Sequence, residues 1–376
     1  MRAFVFTDKA LERYAGQFVW LSIDTENGTN APFLKKYPIN VWPTLLIVDS
    51  KKESVALRYS GGATVPQLQK LLADGLKLMH GKQSPADDAL SRADRLETEG
   101  KHSEAALAYE AAFASAQKNW SRTGRAAESL VFALALSHDQ SRCAARAAEL
   151  YPLVKGTYSA ANVAATGLGC ASDLKEDDPH RASLLQTLEK GARETLDDPT
   201  IPFSGDDRSG LYESLIGSRE AIKDDAGATA LRQQWATFLE AEAAKGKTAE
   251  QRAVYDSHRL SAYIALKQPE KAIPMLEQSE NDFPTDYNPP ARLAAAYKAM
   301  GRYDDALAAS DRALQRAYGP RKIGILRSRS DIYALKGDKD AARKTMEEAL
   351  RYAESLPSEQ RSEALLTSIR KKLATM

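Results

Sequence analysis

The chain has 376 residues, with 52 lysines and arginines against 51 aspartates and glutamates, and only two cysteines. The net charge of +1 comes from interspersed acids and bases, so the sequence offers no basic patch for nucleic acid or an anionic membrane. Two cysteines exclude both a framework of several disulfides and a four-thiolate metal site. The longest apolar run, residues 43–48, is far shorter than the ~20 residues of a membrane-spanning helix, and Met1 leads into no signal peptide. We therefore expect a soluble protein of two or three domains without a cofactor or bound metal.

The first 80 residues alternate helical and extended patterns. Apolar spacing predicts helices over residues 3–14, 31–37 and 65–79, with Thr64 as the N-cap of the last. Runs of β-branched and aromatic residues predict strands over residues 18–24, 44–48 and 54–59. The first two runs are almost continuously apolar, which is typical of strands covered on both faces, whereas the third alternates as an edge strand does. The sequence therefore predicts an α/β domain over residues 1–80.

A Trp42-Pro43-Thr44 turn enters the second predicted strand. Because proline in mid-strand would remove a ladder hydrogen bond, Pro43 is expected at the strand's start, where a cis peptide bond can turn the chain sharply. With the order of helices and strands around it, this turn resembles a thioredoxin-fold domain over about residues 1–79. The resemblance implies that Trp42, Pro43 and Thr44 form a platform that pairs with an extended substrate segment. Packing of the Trp42 ring beside the turn explains that residue equally well.

The thioredoxin-like pattern lacks its redox motif. A thioredoxin-like domain begins with a central strand that leads into a Cys-x-x-Cys motif, and both are absent from this sequence. We therefore expect this chain to have no dithiol activity. One hypothesis is that Met1 is an internal methionine of a longer thiol–disulfide oxidoreductase, which would be periplasmic or otherwise extracytoplasmic if it had a signal. The other is that residues 1–80 are a redox-inactive remnant in a complete, cytoplasmic chain.

From residue 84 to the end the sequence is rich in alanine, with apolar residues three and four apart, which predicts an all-helical region. A repeat emerges when the chain is aligned on four break residues, Gly100, Lys267, Gly301 and Gly337. An alanine stands five residues after each break, at Ala105, Ala272, Ala306 and Ala342, and a leucine or tyrosine stands four residues before it. A small residue at that point allows the second helix to cross the first closely.

These units resemble tetratricopeptide (TPR) repeats over about residues 86–119 and 253–356, because their spacing is close to the ~34-residue period of such helical hairpins. Residues 125–250 are interpreted as degenerate hairpins of the same α-solenoid. The long break at residues 197–210 separates two predicted helical domains, residues 84–196 and residues 211–376.

The TPR resemblance implies that a protein or peptide partner binds along a concave face. The residues predicted to line that face are Ser257, Ser261, Ala291, Ala295, Arg327 and Asp331. They are small or mixed in charge and do not reproduce the set that clamps a partner's C-terminal carboxylate. The sequence thus leaves two functions open: a thioredoxin-family protein with a TPR interaction scaffold, redox-active only in a longer chain, or a non-catalytic TPR scaffold with a degenerate thioredoxin-like domain.

Cys143 and Cys170 lie in alanine-rich helical segments, 27 residues apart. Such cysteines most simply pack as small buried residues. Their separation by one hairpin would also allow a structural disulfide in an oxidising compartment.

Overall fold

The structure, a computed structural model, describes residues 1–201 and 203–376 and is predominantly helical. Its two strands are β1 (Thr44–Asp49) and β2 (Ser54–Ser60). The α-helices are α1 (Ala31–Lys36), α2 (Val65–His80), α3 (Pro85–Thr98), α4 (His102–Ser115), α5 (Thr123–Leu136), α6 (Gln140–Val154), α7 (Ser159–Ser172), α8 (Arg181–Asp197), α9 (Gly205–Ala221), α10 (Asp225–Lys245), α11 (Ala249–Ala253), α12 (Asp256–Ala265), α13 (Ile273–Asp282), α14 (Asn288–Ala299), α15 (Tyr303–Arg316), α16 (Gly319–Lys336), α17 (Lys339–Ser355) and α18 (Glu363–Ala374). Short 3-10 helices cover Lys9–Tyr14, Gly28–Asn30, Pro269–Ala272 and Ser358–Gln360.

Two compact units divide the described chain. The first contains residues 1–18 and 39–235, and the second contains residues 19–38 and 236–376. This grouping joins the α/β pieces to the first helical hairpins, so it differs from the three domains predicted at 1–80, 84–196 and 211–376. Those boundaries remain a prediction about independent folding.

The α/β part of the first unit is a two-stranded hairpin packed on α2. β1 and β2 are antiparallel, with Thr44 opposite Ser60 and Asp49 opposite Ser54. Leu57 and Tyr59 of β2 pack against Leu68 and Leu72 of α2, in a core that also receives residues 5, 11 and 14. The structure confirms the N-cap at Thr64, whose hydroxyl accepts the Gln67 amide hydrogen while the Gln67 side chain accepts from the Thr64 amide.

The predicted strand over residues 18–24 is wrong. Residues 19–24 form no strand and belong to the second unit, and Val19 and Leu21 are exposed at 88% and 73%. An isolated extended segment gains no ladder hydrogen bonds, and its apolar residues alone do not make it a strand. The predicted helix over residues 3–14 is also largely wrong, because only Lys9–Tyr14 is helical, and as a 3-10 helix.

The repeat geometry follows the predicted break residues. Gly100, Lys267, Gly301 and Gly337 all adopt left-handed backbone conformations, with φ between 60° and 90°. At each break the amide of the next residue donates to the carbonyl oxygen of the leucine or tyrosine four residues before the break, at 2.8–2.9 Å. This bond closes a Schellman motif and ends the first helix of each pair.

The alanines five residues after the breaks, Ala105, Ala272, Ala306 and Ala342, are completely buried. In the last pair the Ser330 hydroxyl donates to the Ala342 carbonyl oxygen at 2.7 Å, so α16 and α17 approach closely at that point. The structure therefore confirms the predicted role of the small residue at the helix crossing.

Candidate protein-interaction site

The residues predicted to line a concave face lie on the first helices of successive hairpins in the second unit. Ser257 and Ser261 are on α12, Ala291 and Ala295 on α14, and Arg327 and Asp331 on α16. The members of each pair are four residues apart, so they share one face of their helix. Ser261 is exposed and the others are half-buried, and their role in binding remains a prediction.

Two of these residues differ in their electrostatic surroundings. Asp331 forms an ion pair with Lys372 of α18, so its charge is already matched within the unit. Arg327 forms no side-chain ion pair or hydrogen bond within the described part of the chain. Of the two charged residues in the predicted set, only Asp331 is therefore paired among the described residues.

Charged pairs also join neighbouring helices away from that face. The Glu280 carboxylate of α13 accepts from Arg312 and Arg316 of α15 at 2.8 and 3.0 Å. The hydrogen bond from Arg312 is the largest cause of the lowered pKa of Glu280. These contacts fix the stacking of one hairpin on the next.

An acidic segment of the second unit, residues 24–28, is bound along the loops between its hairpins; we refer to it as the acidic strap. The Tyr318 hydroxyl donates to Asp24 Oδ2 at 2.7 Å, and the Tyr287 hydroxyl donates to Glu26 Oε2 at 2.9 Å. Arg321 Nε donates to Glu26 Oε1 at 2.8 Å. The hydrogen bond to Asp24 raises the pKa of Tyr318 to about 12, and burial together with Glu26 raises the pKa of Tyr287.

The acidic strap spans equivalent positions of the repeats, because Tyr287 and Tyr318 immediately precede the first helices α14 and α16. Gln360, which lies before α18, donates from its side-chain amide to the Thr25 carbonyl oxygen at 2.8 Å. A Cβ at residue 319 would overlap the Glu26 carbonyl oxygen, so glycine is required there. The sequence pattern does not indicate this site because its contacting residues lie 261–335 residues apart.

Trp42, Pro43 and Thr44, which the sequence predicts as a substrate platform, lie at the start of β1 in the first unit. The Trp42–Pro43 peptide bond is cis, and the Trp42 side chain is 58% exposed. Thr44 is the first residue of β1, and its hydroxyl donates to the Val41 carbonyl oxygen at 2.7 Å. A role in binding substrate remains a prediction for these three residues.

Cys143 and Cys170 are joined in a disulfide that links α6 to α7, with their Cα atoms 6.0 Å apart. Both are buried, at 0% and 3% exposure. The interpretation as two unpaired buried cysteines therefore differs from the structure, in which the facing helices bring the sulfur atoms together. Within the described residues this leaves no free thiol for dithiol chemistry.

A buried network of charges in the first unit was not anticipated from the sequence. Asp94 on α3 accepts from Arg125 Nη1 at 2.7 Å and from the Tyr109 hydroxyl at 2.9 Å. Arg122, at the start of α5, pairs with Asp87 of α3 and with Asp74 of α2. Two arginines three residues apart thus hold α3, α5 and α2 together. The five charged residues of this network are scattered among the other polar residues of their helices, so the sequence gives no signal that they are buried together.

The described part of the chain contains no group of three or more histidine, cysteine, aspartate or glutamate side chains arranged to hold a metal ion. None of its helices combines the length and apolar character required to span a membrane.

Comparison with known proteins identifies the repeats. A family model described as tetratricopeptide repeat matches residues 287–355, which span α14 to α17. A solved complex of the TPR2AB domain of yeast Sti1 with pHSP90 is similar at 13% identity and a TM-score of 0.29, over 77% of this chain and 98% of that one. No curated protein matches the chain. The match to residues 287–355 thus supports the tetratricopeptide repeats predicted for the C-terminal hairpins.

Proposed function

We propose that this chain is a non-catalytic protein-binding scaffold whose C-terminal hairpins hold a segment of a partner protein. The observation that carries the proposal is the tetratricopeptide match to residues 287–355. Stacked hairpins of this kind place their first helices side by side and create an extended surface for a peptide or helix. The proposal assigns binding to the first-helix faces of α12, α14 and α16.

The side chains on these faces suggest what the partner segment carries. Ser257, Ser261, Ala291 and Ala295 are small, so they leave room for the partner's larger side chains. Arg327 is the charge without an internal partner, because Asp331 is paired with Lys372. We therefore expect the preferred segment to contain an acidic side chain opposite Arg327.

A redox role is not proposed for this chain. Thiol–disulfide exchange requires a thiolate, and the two cysteines of the sequence are joined in the disulfide between α6 and α7. Within residues 1–80, the thioredoxin-like resemblance provides at most the Trp42–Thr44 turn as a second surface for an extended peptide.

Peptides that bind the whole chain are selected from a displayed random library. Their affinities for the chain are then measured by titration. Ala295→Arg places a large cation on the proposed face, and Ala308→Arg makes the same change on the exposed side of α15. We expect Ala295→Arg to weaken binding about tenfold or more, Arg327→Ala to weaken acidic peptides most, and Ala308→Arg to have no effect. Equal affinities for the two arginine variants would overturn the assignment of the face.

A further inference from the structure

A partly enclosed cavity of about 150 Å³ lies in the first unit, between β2 and the helical hairpins. Its polar walls come from Arg58, Tyr59 and Ser60 of β2, Glu97 of α3, Glu128 of α5 and Asn162 of α7. Three of the contributing helices, α3, α5 and α7, are the first helices of successive hairpins. The cavity is separate from the C-terminal hairpins, and the inference drawn from it does not depend on the proposed function.

Glu97 provides an incompletely satisfied carboxylate at this cavity. The side chain is buried, with 5% of its surface exposed. Its Oε1 atom lies 3.0 Å from His102 Nδ1, whereas Oε2 is buried and accepts no hydrogen bond within the described residues. A buried carboxylate oxygen that has lost water without gaining a donor is costly, so this atom favours a ligand that donates.

Glu128 is a second buried carboxylate at the cavity, and its hydrogen-bond donors are neutral. Its Oε2 atom accepts from the Tyr59 hydroxyl and from Asn162 Nδ2, both at 2.8 Å. Among the described residues neither Glu128 nor Glu97 forms an ion pair with lysine or arginine. Burial without a cationic partner raises the pKa of Glu128.

The buried charges around the cavity do not balance. Four buried carboxylates, Asp87, Asp94, Glu97 and Glu128, accompany three buried guanidinium groups, Arg58, Arg122 and Arg125. The arginines at 122 and 125 are committed to Asp87, Asp74 and Asp94. Arg58, which lines the cavity, donates from Nη2 to Asn40 Oδ1 at 3.1 Å. Leaving aside His102, whose Nδ1 lies 3.0 Å from Glu97 Oε1, the four buried carboxylates exceed the three guanidinium groups by one, and a bound cation would restore the balance.

We propose that this cavity binds the cationic end of an alkylammonium or alkylguanidinium group, with Glu97 and Glu128 as its acceptors. A cavity of about 150 Å³ holds roughly six non-hydrogen atoms, which is the size of a lysine or arginine side-chain end. The same chemistry is presented by a basic side chain of a protein and by a free aliphatic amine. Phe132 of α5, which also lines the cavity, provides an apolar surface for the alkyl part.

The first experiment titrates the whole chain with n-butylammonium up to about 10 mM and follows amide resonances by NMR. The uncharged control is n-butanol, which has the same shape and size, and sodium chloride at equal ionic strength controls for screening. We expect saturable shifts at residues around the cavity with n-butylammonium only. Equal shifts with n-butanol or with sodium, or no saturable shift, would overturn the proposal.

Variants then test the two acceptors. Glu97→Gln and Glu128→Gln keep the side-chain shape but remove the charge, and each is expected to weaken n-butylammonium binding about tenfold or more. Glu104→Gln, an exposed carboxylate on α4, is the matched control and is expected to bind as the unaltered chain does. Unchanged affinity in both acceptor variants would contradict the assignment.

A final comparison distinguishes the two sources of the cation. A capped Gly-Lys-Gly peptide is titrated beside its Gly-norleucine-Gly counterpart, which lacks the ammonium group. With n-butylammonium binding established, saturable binding of the lysine peptide but not of its norleucine counterpart would identify a basic side chain of a protein as the ligand. Binding of n-butylammonium without binding of the lysine peptide would identify a free amine.

Discussion

Asp94 Oδ2 lies 2.7 Å from Arg125 Nη1, and both side chains are buried, at 0% and 6% exposure. The same carboxylate accepts the backbone amide hydrogen of Arg58 at 3.3 Å, and Arg125 donates to the Arg58 carbonyl oxygen at 3.4 Å. The pair therefore uses side chains of α3 and α5 to bind the backbone of β2. This contact holds β2 against the first two hairpins, and among the described residues no strand pairs with that edge of β2.

Asp94→Asn is expected to destabilise the first unit strongly, because it leaves the Arg125 guanidinium buried without its counter-ion. Breaking one side of a buried pair costs about 3–5 kcal/mol in the free energy of unfolding. Urea denaturation measures the change. The control is Glu354→Gln, which breaks the exposed pair of Glu354 with Arg370 and is expected to cost under ~1 kcal/mol. Similar costs for the two variants would contradict the importance of the buried pair.

The disulfide between Cys143 and Cys170 is expected to stabilise the α6–α7 hairpin. A cross-link that closes a loop of 27 residues lowers the conformational entropy of the unfolded chain. This raises the free energy of unfolding by about 3–4 kcal/mol. Replacing both cysteines with alanine should lower the free energy of unfolding by that order, and reduction of the unaltered chain should act in the same direction.

Mass spectrometry after alkylation checks the bridge directly. Without prior reduction the mass of the unfolded chain should not change, whereas after reduction two alkyl groups should be added, one per cysteine. Ready labelling of the unreduced chain would show that the cysteines are free and would remove the stability prediction with it.

Gly319→Ala is expected to release the acidic strap. Gly319 has φ +57° and the Glu26 carbonyl oxygen lies where a Cβ would stand, so the variant meets both backbone strain and a clash. Gly301→Ala is the matched control, because Gly301 has φ +72° but nothing within 4 Å of an added Cβ. Because alanine is strained in the left-handed conformation, each variant should lose about 1 kcal/mol of unfolding free energy. Only Gly319→Ala should lose more, because only its Cβ meets the Glu26 carbonyl oxygen.

Limited proteolysis at Lys35 and Lys36 reports on the strap separately from global stability. We expect cleavage there to accelerate in Gly319→Ala and in Arg321→Ala, which removes the contact of Arg321 with Glu26. Gly301→Ala should be cut at the rate of the unaltered chain. Equal acceleration in both glycine variants would indicate general destabilisation instead of release of the strap.

The repeats could be predicted from the sequence because their signals are local. A break residue, an alanine five positions later and a large residue four positions earlier, as at Gly337, Ala342 and Tyr333, all fall within one hairpin. The acidic strap could not be found in this way, since Asp24 meets Tyr318 only after the chain folds. Residues 18–24 misled the prediction because an apolar run forms a strand only when a neighbour supplies hydrogen bonds.

The candidate sites were harder to predict than the fold. From the sequence, Arg125 and Glu128 are expected to be ordinary polar residues of a helix. Nothing in their spacing indicates that both are buried in the structure. Their burial depends on β2, a segment about 70 residues earlier, whose backbone and Tyr59 hydroxyl bind them. Burial of a charge is decided by such distant partners, which periodicity within one helix does not contain.

The raised pKa of Glu128 predicts that this residue makes the first unit less stable as the pH rises. The ordinary pKa of the carboxyl is 4.5, and burial raises it in the folded chain. The folded chain therefore holds the proton more tightly than the unfolded chain does, so stability falls from about pH 4.5 upward until the pH passes the raised pKa. Each unit by which the pKa is raised corresponds to about 1.4 kcal/mol.

Glu128→Gln isolates this effect, because glutamine keeps an acceptor for Tyr59 and Asn162 but cannot ionise. The difference in free energy of unfolding between the variant and the unaltered chain is measured by urea denaturation at several pH values between 4 and 8. We expect the variant to gain stability relative to the unaltered chain as the pH rises, while Glu104→Gln shows no such trend. A difference that stays constant with pH would mean that the Glu128 carboxylate is stabilised as well in the folded chain as in water, and the shortage of cations around the cavity would no longer hold.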